Sequence, residues 1–286
     1  MKYAFIRTHQ ATCPVVRLCE LLDVPPGSYY AWRQRPVSPR ERDNARLEVH
    51  IQAVFAEHKG RYGSPRITAE LHEQGMTCGE NRVAERMRRL GLQAKGKRKY
   101  KATTQSNHHL PVAPNLLEQH FEAETPNQKW VSDITYVWTD EGWLYLAVVL
   151  DLYSRLVVGY ALSHRIDRAL VISALQMALF RRQYPRGVIL HSDRGSQYCS
   201  ADYQALLKEH GLVCSMSKRG DCYDNAAMES WNHSYKVESI QGERFATRKH
   251  AEIITTDYID RYYNVKRRHS TIGQQSPQAY ELANAA

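Results

Sequence analysis

The sequence predicts an α/β protein in which a mixed sheet flanked by helices follows an all-helical amino-terminal region. Helix caps and glycine stops recur up to residue 93. From Gln128 onward, β-branched and aromatic residues alternate with polar ones, which is typical of strands. Short apolar runs then alternate with amphipathic helical patterns, as in layered α/β folds. We therefore predict a helical region over residues 1–93, a linker over 94–127 and a sheet-containing unit over 128–286.

Start and stop signals define several helices in the amino-terminal region. The segment 38–41 combines an N-cap serine, a proline at the first helical position and a capping-box glutamate, which predicts a helix to about residue 58. A short helix is predicted over 65–74, and a second capping box at 77–80 predicts a helix to about residue 90. Residues 14–35 can hold a further helix pair, interrupted at 23–27.

The last of these helices carries Arg82, Arg86 and Arg89. With the preceding helix and the tight turn, it fits a helix-turn-helix whose second helix binds in a major groove of DNA. The alternative is a small helical bundle in which these arginines only form a solvated face. The helical pattern alone does not separate the two interpretations.

Charge and composition limit the class of protein. A net charge of +9 favours a polyanionic partner, although charge alone does not separate nucleic acid from an anionic membrane surface. Most of the excess lies between residues 82 and 101, where Lys97, Arg98 and Lys99 open the predicted linker. We expect these residues to neutralise DNA phosphates, or else to belong to a solvated tether. The sequence shows neither a secretory signal nor an apolar run long enough to cross a bilayer, which predicts a cytoplasmic protein.

Cysteine spacing predicts neither a zinc cluster nor a disulfide framework. The chain has six cysteines, and no two of them are separated by the two residues of a Cys-x-x-Cys motif. We therefore expect reduced and mostly buried thiols.

The sheet-containing unit is predicted to begin with three strands, over 130–138, 143–150 and 155–162, which are joined by short turns and so form an antiparallel meander. Asp167 is placed to cap a helix to about residue 182, whose apolar stripe should cover a sheet face. The following elements are predicted to be a strand ending at Asp193, a helix over 201–210, a strand over 212–216, a helix around Glu229 and a helix over 248–263.

Three acidic residues stand out by their context. Asp133 lies on an otherwise apolar strand face, which is costly unless a positive charge compensates it. Asp193 lies where a strand passes into a loop, and Glu229 lies on a predicted helix. Such carboxylates suit phosphoryl transfer with two divalent metal ions. Asp151 is a competing carboxylate, but the residues after it favour a turn between two strands.

Four motifs strengthen this interpretation by their order along the chain. They are Trp130 to Tyr136, His191 to Tyr198, Gly220 to Ser230, and Tyr263 to Gly273 with Ser276-Pro277. Together they resemble the catalytic core of bacterial insertion-sequence transposases, in the group that encodes its transposase in two overlapping frames, and the chain is similar to the second-frame product. The resemblance extends over almost the whole chain.

The resemblance implies a retroviral-integrase-like, ribonuclease-H-type fold with Asp133 and Asp193 on adjacent central strands. It implies that these residues and Glu229 form a catalytic triad that binds Mg²⁺ or Mn²⁺, two ions per site. DNA strands would be cleaved at the element ends and transferred, through a circular intermediate. The partners implied are element ends, target DNA, further copies of the chain in a synaptic complex, and a first-frame protein. By the motif or by their position, we expect DNA contacts from Lys236, Asn225, Arg194, Arg267 and Arg268.

Two other functions remain open from sequence alone. A nuclease of the same fold would only hydrolyse DNA, and a DNA-binding regulator would be inactive without the first-frame segment. Whichever applies, three neighbouring carboxylates should repel one another without metal, so at least one of them should hold its proton more tightly.

Overall fold

A computed structural model describes residues 1–96, 111–218 and 222–284, without the side chains of Cys222 and Tyr223. The helices before the sheet are Lys2–His9 (α1), Val15–Leu21 (α2), Pro26–Gln34 (α3), Pro39–Glu57 (α4), Ser64–Glu73 (α5) and Glu80–Arg89 (α6). The first, α1, is the one that the sequence did not predict. Described residues 111–127 form no helix or strand, as expected of the linker.

One of the two predicted capping boxes is confirmed. The Ser38 side chain accepts a hydrogen bond from the backbone N–H of Glu41 at 3.1 Å, at the start of α4. The second capping box was wrong, because α6 begins after Gly79, whose lack of a side chain leaves no side-chain cap. Glu80 is then the first helical residue instead of the third, so it cannot reach back to the cap.

The helices pack as two groups. α1, α2 and α3 share a small apolar cluster around Ile6, Leu18 and Tyr29. α4, α5 and α6 instead contribute to the large apolar cluster that also includes Val131 and Val137 of the sheet. Burial of apolar surface therefore joins these three helices to the sheet-containing unit, across the predicted linker.

The sheet contains five strands in the order β3-β2-β1-β4-β5. The strands are Lys129–Thr139 (β1), Gly142–Asp151 (β2), Val157–Ser163 (β3), Ile189–Ser192 (β4) and Val213–Met216 (β5). β1, β2 and β3 pair antiparallel as predicted, while β4 and β5 continue the sheet parallel to β1. β1 and β4 are therefore adjacent central strands.

Helices cover both faces of the sheet. The remaining helices are Arg168–Arg181 (α7), Ala201–Glu209 (α8), Ala226–Tyr235 (α9), Arg248–Asp257 (α10) and Pro277–Ala283 (α11), with π-helical segments at Lys236–Ile240 and Tyr258–Tyr263. The Asp167 side chain caps α7 as predicted, accepting from the backbone N–H of Leu170 at 3.1 Å. α7 packs on one face, and α9 and α10 pack on the other.

Asp151 has a structural role, which agrees with the turn predicted after it. It is fully buried and accepts hydrogen bonds from the backbone N–H of Asn127 at 2.9 Å and from Arg182 at 3.2 Å. The five cysteines whose side chains are described are all free thiols. No helix in the described ranges combines the length and the apolar character that a membrane span requires.

Gly159 of β3 lies where α7 approaches the sheet most closely. A Cβ atom added there would lie 2.3 Å from the carbonyl oxygen of Ala174 and 2.7 Å from the Cβ of Ala178. Both are parts of a packed helix, so α7 or β3 would have to move. We expect Gly159→Ala to lower the free energy of unfolding by about 3 kcal/mol, as overpacked cores do.

Urea unfolding measures this effect, and Gly27→Ala is the matched control. A Cβ at Gly27 in α3 meets nothing within 4 Å, so that change should leave stability equal or slightly higher. Equal stabilities for Gly159→Ala and wild type would contradict the close approach of α7 to β3.

Candidate active site

Asp133 lies on β1, with its side chain on the sheet face that α9 covers. Neighbours on the same face, including Val131 and Val137, are buried, and Asp133 itself is half-buried. One carboxylate oxygen accepts a hydrogen bond from the backbone N–H of Ile134 at 2.9 Å. The other accepts from the side-chain amide of Asn232 at 2.8 Å. Two donors from different elements therefore fix the orientation of this carboxylate.

Asp193 follows β4 directly and lies beside Asp133 because of the strand register. Ser132 of β1 is paired with Ser192 of β4 in a parallel ladder, so the residues that follow them, Asp133 and Asp193, come to the same level along the two strands. One oxygen of Asp193 accepts a hydrogen bond from the backbone N–H of Gly195 at 2.9 Å. The turn after β4 thus holds the second carboxylate.

Glu229 lies in the first turn of α9, which packs against β1. Asn232, three residues later and hence on the same side of the helix, reaches Asp133. This hydrogen bond places the Glu229 side of α9 toward the sheet. The predicted helix around Glu229 is shorter than expected, because residues 222–225 form a 3₁₀ turn and the helix changes to a π segment at Lys236.

The three carboxylates affect one another electrostatically. Burial, followed by the charge of Asp193 and then that of Glu229, raises the pKa of Asp133 to about 7, against the hydrogen bonds from Ile134 and Asn232. This proton retention is what the sequence predicted for repelling carboxylates. In the described ranges, however, no group of three or more His, Cys, Asp or Glu side chains is already close enough to hold one metal ion. The carboxylates are thus near enough to repel without forming a finished ligand cluster.

The donor set fits a hard divalent cation. Carboxylate oxygens are the ligands that Mg²⁺ prefers in proteins, and a cation would relieve the repulsion that raises the pKa of Asp133. Asp133, Asp193 and Glu229 are the residues that could hold such an ion.

Lys236, one of the predicted basic residues, lies close enough to Asp133 for the charge of that carboxylate to act on it. Its ammonium group lies 4.6 Å from the ring centre of Tyr136. Burial lowers the pKa of Lys236, while Tyr136 and Asp133 oppose that change. The basic residue predicted seven positions after Glu229 therefore lies at the site.

Asp133→Asn gives a test of the electrostatics. The raised pKa means that the folded state binds a proton more tightly than the unfolded state. Without metal, the free energy of unfolding of wild type should therefore fall as pH rises from 3.8 to about 7. We expect Asp133→Asn to lack this fall and to be more stable at pH 8 by on the order of 2 kcal/mol, a value discounted for the partial exposure of the group.

Thermal unfolding in a metal chelator at pH 5 and pH 8 measures this effect. Mg²⁺ should restore stability to wild type at pH 8 and have little effect on Asp133→Asn. A variant less stable than wild type at pH 8 would show that Asp133 carries no excess of negative charge.

The sequence did not single out the residues that support the triad. Asn232 could have been found by its helical spacing from Glu229. Burial lowers the pKa of His191 to about 4, so the ring is neutral between the hydroxyl groups of Ser215 at 2.8 Å and Ser217 at 3.1 Å. Beneath Asp133, the hydroxyl groups of Tyr198 and Ser132 lie 3.0 Å apart. These contacts join strands that are distant in sequence, which is why spacing alone did not reveal them.

Several residues expected to contact DNA have other roles. Arg267 is 4% exposed and pairs with Glu238 at 2.8 Å. Arg268 pairs with Glu70 at 2.6 Å and with Glu73. Both guanidinium groups are paired within the protein, and their contact with DNA stays a prediction.

Two further residues expected to contact DNA, Arg86 and Asn225, are also buried within the protein. Arg86 is buried and pairs with Glu48 at 3.4 Å and with Glu85. Asn225 is buried at the start of α9, where it is the N-cap residue without a side-chain capping bond.

The remaining predicted contacts lie at or near the surface. Arg82 binds Asp43 at 2.5 Å and remains 34% exposed, and the Arg89 side chain is 66% exposed. Arg194 donates to the carbonyl oxygen of Ser217 at 2.6 Å, beside Asp193. Lys97, Arg98 and Lys99 lie outside the described residues.

The chain matches known families in both of its parts. Residues 123–222 and 210–277 match families described as integrase core domain, and residues 41–100 match an HTH-like domain. The described fold agrees with this, because a helical region precedes a five-stranded mixed sheet with helices on both faces.

The chain is also similar to individual proteins. A chain of the simian T-cell lymphotropic virus intasome in complex with PP2A regulatory subunit B56 gamma aligns with a TM-score of 0.44 and 14% identity, over 77% of this chain and 74% of that one. Insertion element IS600 uncharacterized 31 kDa protein of Shigella sonnei is 45% identical, over 92% of this chain and 97% of that one. Transposase InsF for insertion sequence IS3A of Escherichia coli (strain K12) is 50% identical over 100% of both chains. Identity at this level over the full length shows that the chain belongs to the transposases of the IS3 family, which act in DNA transposition.

Proposed function

We propose that this transposase cleaves DNA at the ends of its element and joins the freed 3′-hydroxyl to other DNA, with Asp133, Asp193 and Glu229 as metal-binding catalytic carboxylates. The observation that carries the proposal is the excess of negative charge at Asp133, whose pKa is raised to about 7 by burial and by the other two carboxylates. An apolar surrounding tolerates such charges only when a cation or a proton neutralises them. The arrangement therefore supports metal binding at this place.

The metal proposed is Mg²⁺ or Mn²⁺, at two ions per site. When bound, two such ions supply positive charge to both the attacking and the leaving oxygen of a phosphodiester. The proposed ligands are all carboxylate oxygens, which suit such ions. The reaction requires no nucleophile from the protein. The stoichiometry is part of the proposal.

The residues of the chain orient the site and the substrate. Asn232 and the N–H of Ile134 hold Asp133, and the N–H of Gly195 holds Asp193. Lys236 would bind a phosphate of the strand beside these carboxylates. In the transfer step, the 3′-hydroxyl loses its proton and forms a bond to phosphorus, while the bond from phosphorus to the leaving 3′-oxygen breaks and that oxygen takes up a proton.

DNA and other proteins are the proposed partners. The α5–α6 pair, with Arg82 and Arg89, would recognise the element ends as a helix-turn-helix. Bringing two ends together would require at least two copies of the chain. A first-frame protein, joined or separate, would add further DNA contacts, and the complex would act at the bacterial nucleoid.

A joining assay tests this proposal. The purified chain is incubated with a labelled duplex that carries an element end with a free 3′-hydroxyl, target plasmid, and Mn²⁺ or Mg²⁺, with and without the first-frame protein. We expect labelled strands covalently joined to the plasmid, and none in a chelator. Shortened strands without joined products, in both reactions, would assign a nuclease and overturn the proposal.

A further inference from the structure

A cavity lies on the far side of the helix that carries Glu229. It has a volume of about 320 Å³ and lies between α9, Arg66 of α5, the turn before β3 and the carboxy-terminal segment. Ser230 and Ser234 of α9 line it. They lie on a different side of the helix from Glu229 and Asn232, because residues four apart share a face. The cavity is therefore separate from the carboxylate site but shares α9 with it.

Three arginines line this cavity, and only two of them are paired with a carboxylate among the described residues. Arg267 and Arg66 both pair with Glu238, at 2.8 and 3.4 Å. Arg155 also lines the cavity and is half-buried in the turn before β3. Within the described ranges, its guanidinium has neither an ion pair nor a hydrogen bond, and burial lowers its pKa. A partly desolvated cation without an anionic partner is costly, so its position needs an explanation.

The other polar groups of the cavity add no negative charge. Trp231 lines it and is 2% exposed, yet its indole N–H has no acceptor in the part of the chain described. His269 accepts from Arg267, and burial together with the neighbouring arginines lowers the pKa of this histidine, so its ring is neutral. None of the described residues that line the cavity is acidic. The cavity thus carries an excess of positive charge, with hydroxyl groups as its other polar side chains.

This chemistry selects the class of ligand. A metal ion or an organic cation would be repelled by three guanidinium groups. An apolar ligand would leave Arg155 and the indole N–H of Trp231 without partners. A tetrahedral oxyanion satisfies both, because its oxygens accept several charge-assisted hydrogen bonds at once. Ala226 and Ala227, in the first turn of α9, also line the cavity and add the partial positive charge of a helix start.

We propose that this cavity binds a phosphate group of the DNA strand that the transposase engages, with Arg155 as the main contact and Trp231 as a second donor. The identification of the ligand as DNA rests on the function proposed above. An α-helix with its side chains is about 10 to 12 Å across, so a phosphate in the cavity would lie a few nucleotides from the reacting phosphodiester. A bound phosphate would hold α9 from the side that carries Ser230 and Ser234 and so help to position Glu229.

Arg155→Gln and Trp231→Phe test the proposal in the full chain, with Arg244→Gln as the control. Arg244 loses the same charge but is 87% exposed and pairs only with Asp140 on the surface. Thermal unfolding is followed during a titration with inorganic phosphate, and with sodium chloride at equal ionic strength. Wild type and Arg244→Gln should be stabilised by phosphate in a saturable manner. The affinity for phosphate should fall about tenfold or more in Arg155→Gln and less in Trp231→Phe, as for lost hydrogen bonds to a charged group.

The midpoint temperature of thermal unfolding, measured without phosphate, distinguishes a binding role of Arg155 from a structural one. Arg155→Gln removes a desolvated charge that has no partner, so its midpoint should equal or exceed that of wild type. A clearly lower midpoint would assign Arg155 a structural role and would overturn the proposal. Trp231→Phe keeps an aromatic ring at this position and retains all three arginines. It removes only the indole N–H donor and part of the ring.

A second measurement distinguishes DNA from free phosphate. Binding of an element-end duplex is measured by fluorescence anisotropy at several chloride concentrations, without divalent metal. Relative to Arg244→Gln, Arg155→Gln should bind more weakly, and its slope of log K against log salt should be shallower by about 0.7 to 0.9, one phosphate contact. Free phosphate should compete with DNA in wild type more than chloride does.

Two further results, from the phosphate and DNA titrations, would also overturn the proposal. If phosphate stabilises the protein but both variants bind DNA equally, the cavity binds free phosphate only. If phosphate has no saturable effect and DNA binding is equal, the cavity binds no phosphate group. Because no step of these measurements requires strand transfer, failure of the joining reaction would leave them interpretable.

Discussion

Asp193→Asn is expected to lower the rate of strand transfer about a thousandfold while leaving the affinity for element-end DNA within a few-fold of wild type. The change keeps the size of the side chain and the acceptor for the N–H of Gly195, but removes one negative charge from the proposed metal site. Losing a ligand of a catalytic ion costs several kcal/mol in the transition state, and each 1.36 kcal/mol is about tenfold in rate. Asp133→Asn and Glu229→Gln should behave alike.

Single-turnover joining rates and anisotropy titrations measure the two quantities on the same preparations. Asp202→Asn is a suitable control, because Asp202 is a surface carboxylate that pairs with Arg168 at 2.8 Å and is 56% exposed. That variant should join DNA at the wild-type rate. Strand transfer by Asp193→Asn within tenfold of wild type would rule out a catalytic role for this carboxylate.

Glu238→Gln is expected to lower the free energy of unfolding by about 3 to 5 kcal/mol, the cost of leaving a buried charge without its partner. Glu238 is 5% exposed and accepts from Arg267 at 2.8 Å and from the hydroxyl of Tyr258 at 2.9 Å. Arg267 would remain buried without a carboxylate. Urea unfolding at pH 7 measures the loss, and Glu252→Gln, at an exposed pair with Lys249, should change stability by less than about 0.5 kcal/mol.

The same pair gives a pH dependence with a defined sign. Arg267 and its neighbours outweigh burial and lower the pKa of Glu238 below its usual value. The folded state therefore binds this proton less tightly than the unfolded state. The stabilisation should be complete above the ordinary glutamate pKa of about 4.3 and should be lost as pH falls through the lowered value. Equal acid stability of wild type and Glu238→Gln would contradict this role.

Much of the fold followed from local patterns in the sequence. The alternation in β1, the cap at Asp167 and the serine cap of α4 each depend on residues within a few positions, and each is found in the structure. Tyr258, Tyr262 and Tyr263, at the end of the helix predicted over 248–263, are buried in the core. The capping box predicted before α6 failed because the helix begins after Gly79, which makes Glu80 its first residue.

The candidate site was predictable in part for the same reason. The positions of Asp133 and Asp193 follow from strand patterns. The parallel register of β1 and β4 then brings the two residues side by side. The roles of the arginines did not follow, because burial and ion pairing depend on contacts between distant segments. Arg267, a predicted DNA contact, pairs with Glu238 from another helix, while Arg155, in the turn predicted after Asp151, lines the cavity.

The central claim, that three carboxylates share divalent ions, is tested most directly by locating manganese. Crystals of the protein with element-end DNA and Mn²⁺, measured near the manganese absorption edge, give the ion positions independently of the protein atoms. The account predicts anomalous peaks at about 2.0 to 2.2 Å from oxygens of Asp133, Asp193 and Glu229, a distance close to that of other small hard cations. Peaks bound by other residues, with Glu229 turned away from Asp133 and Asp193, would contradict it.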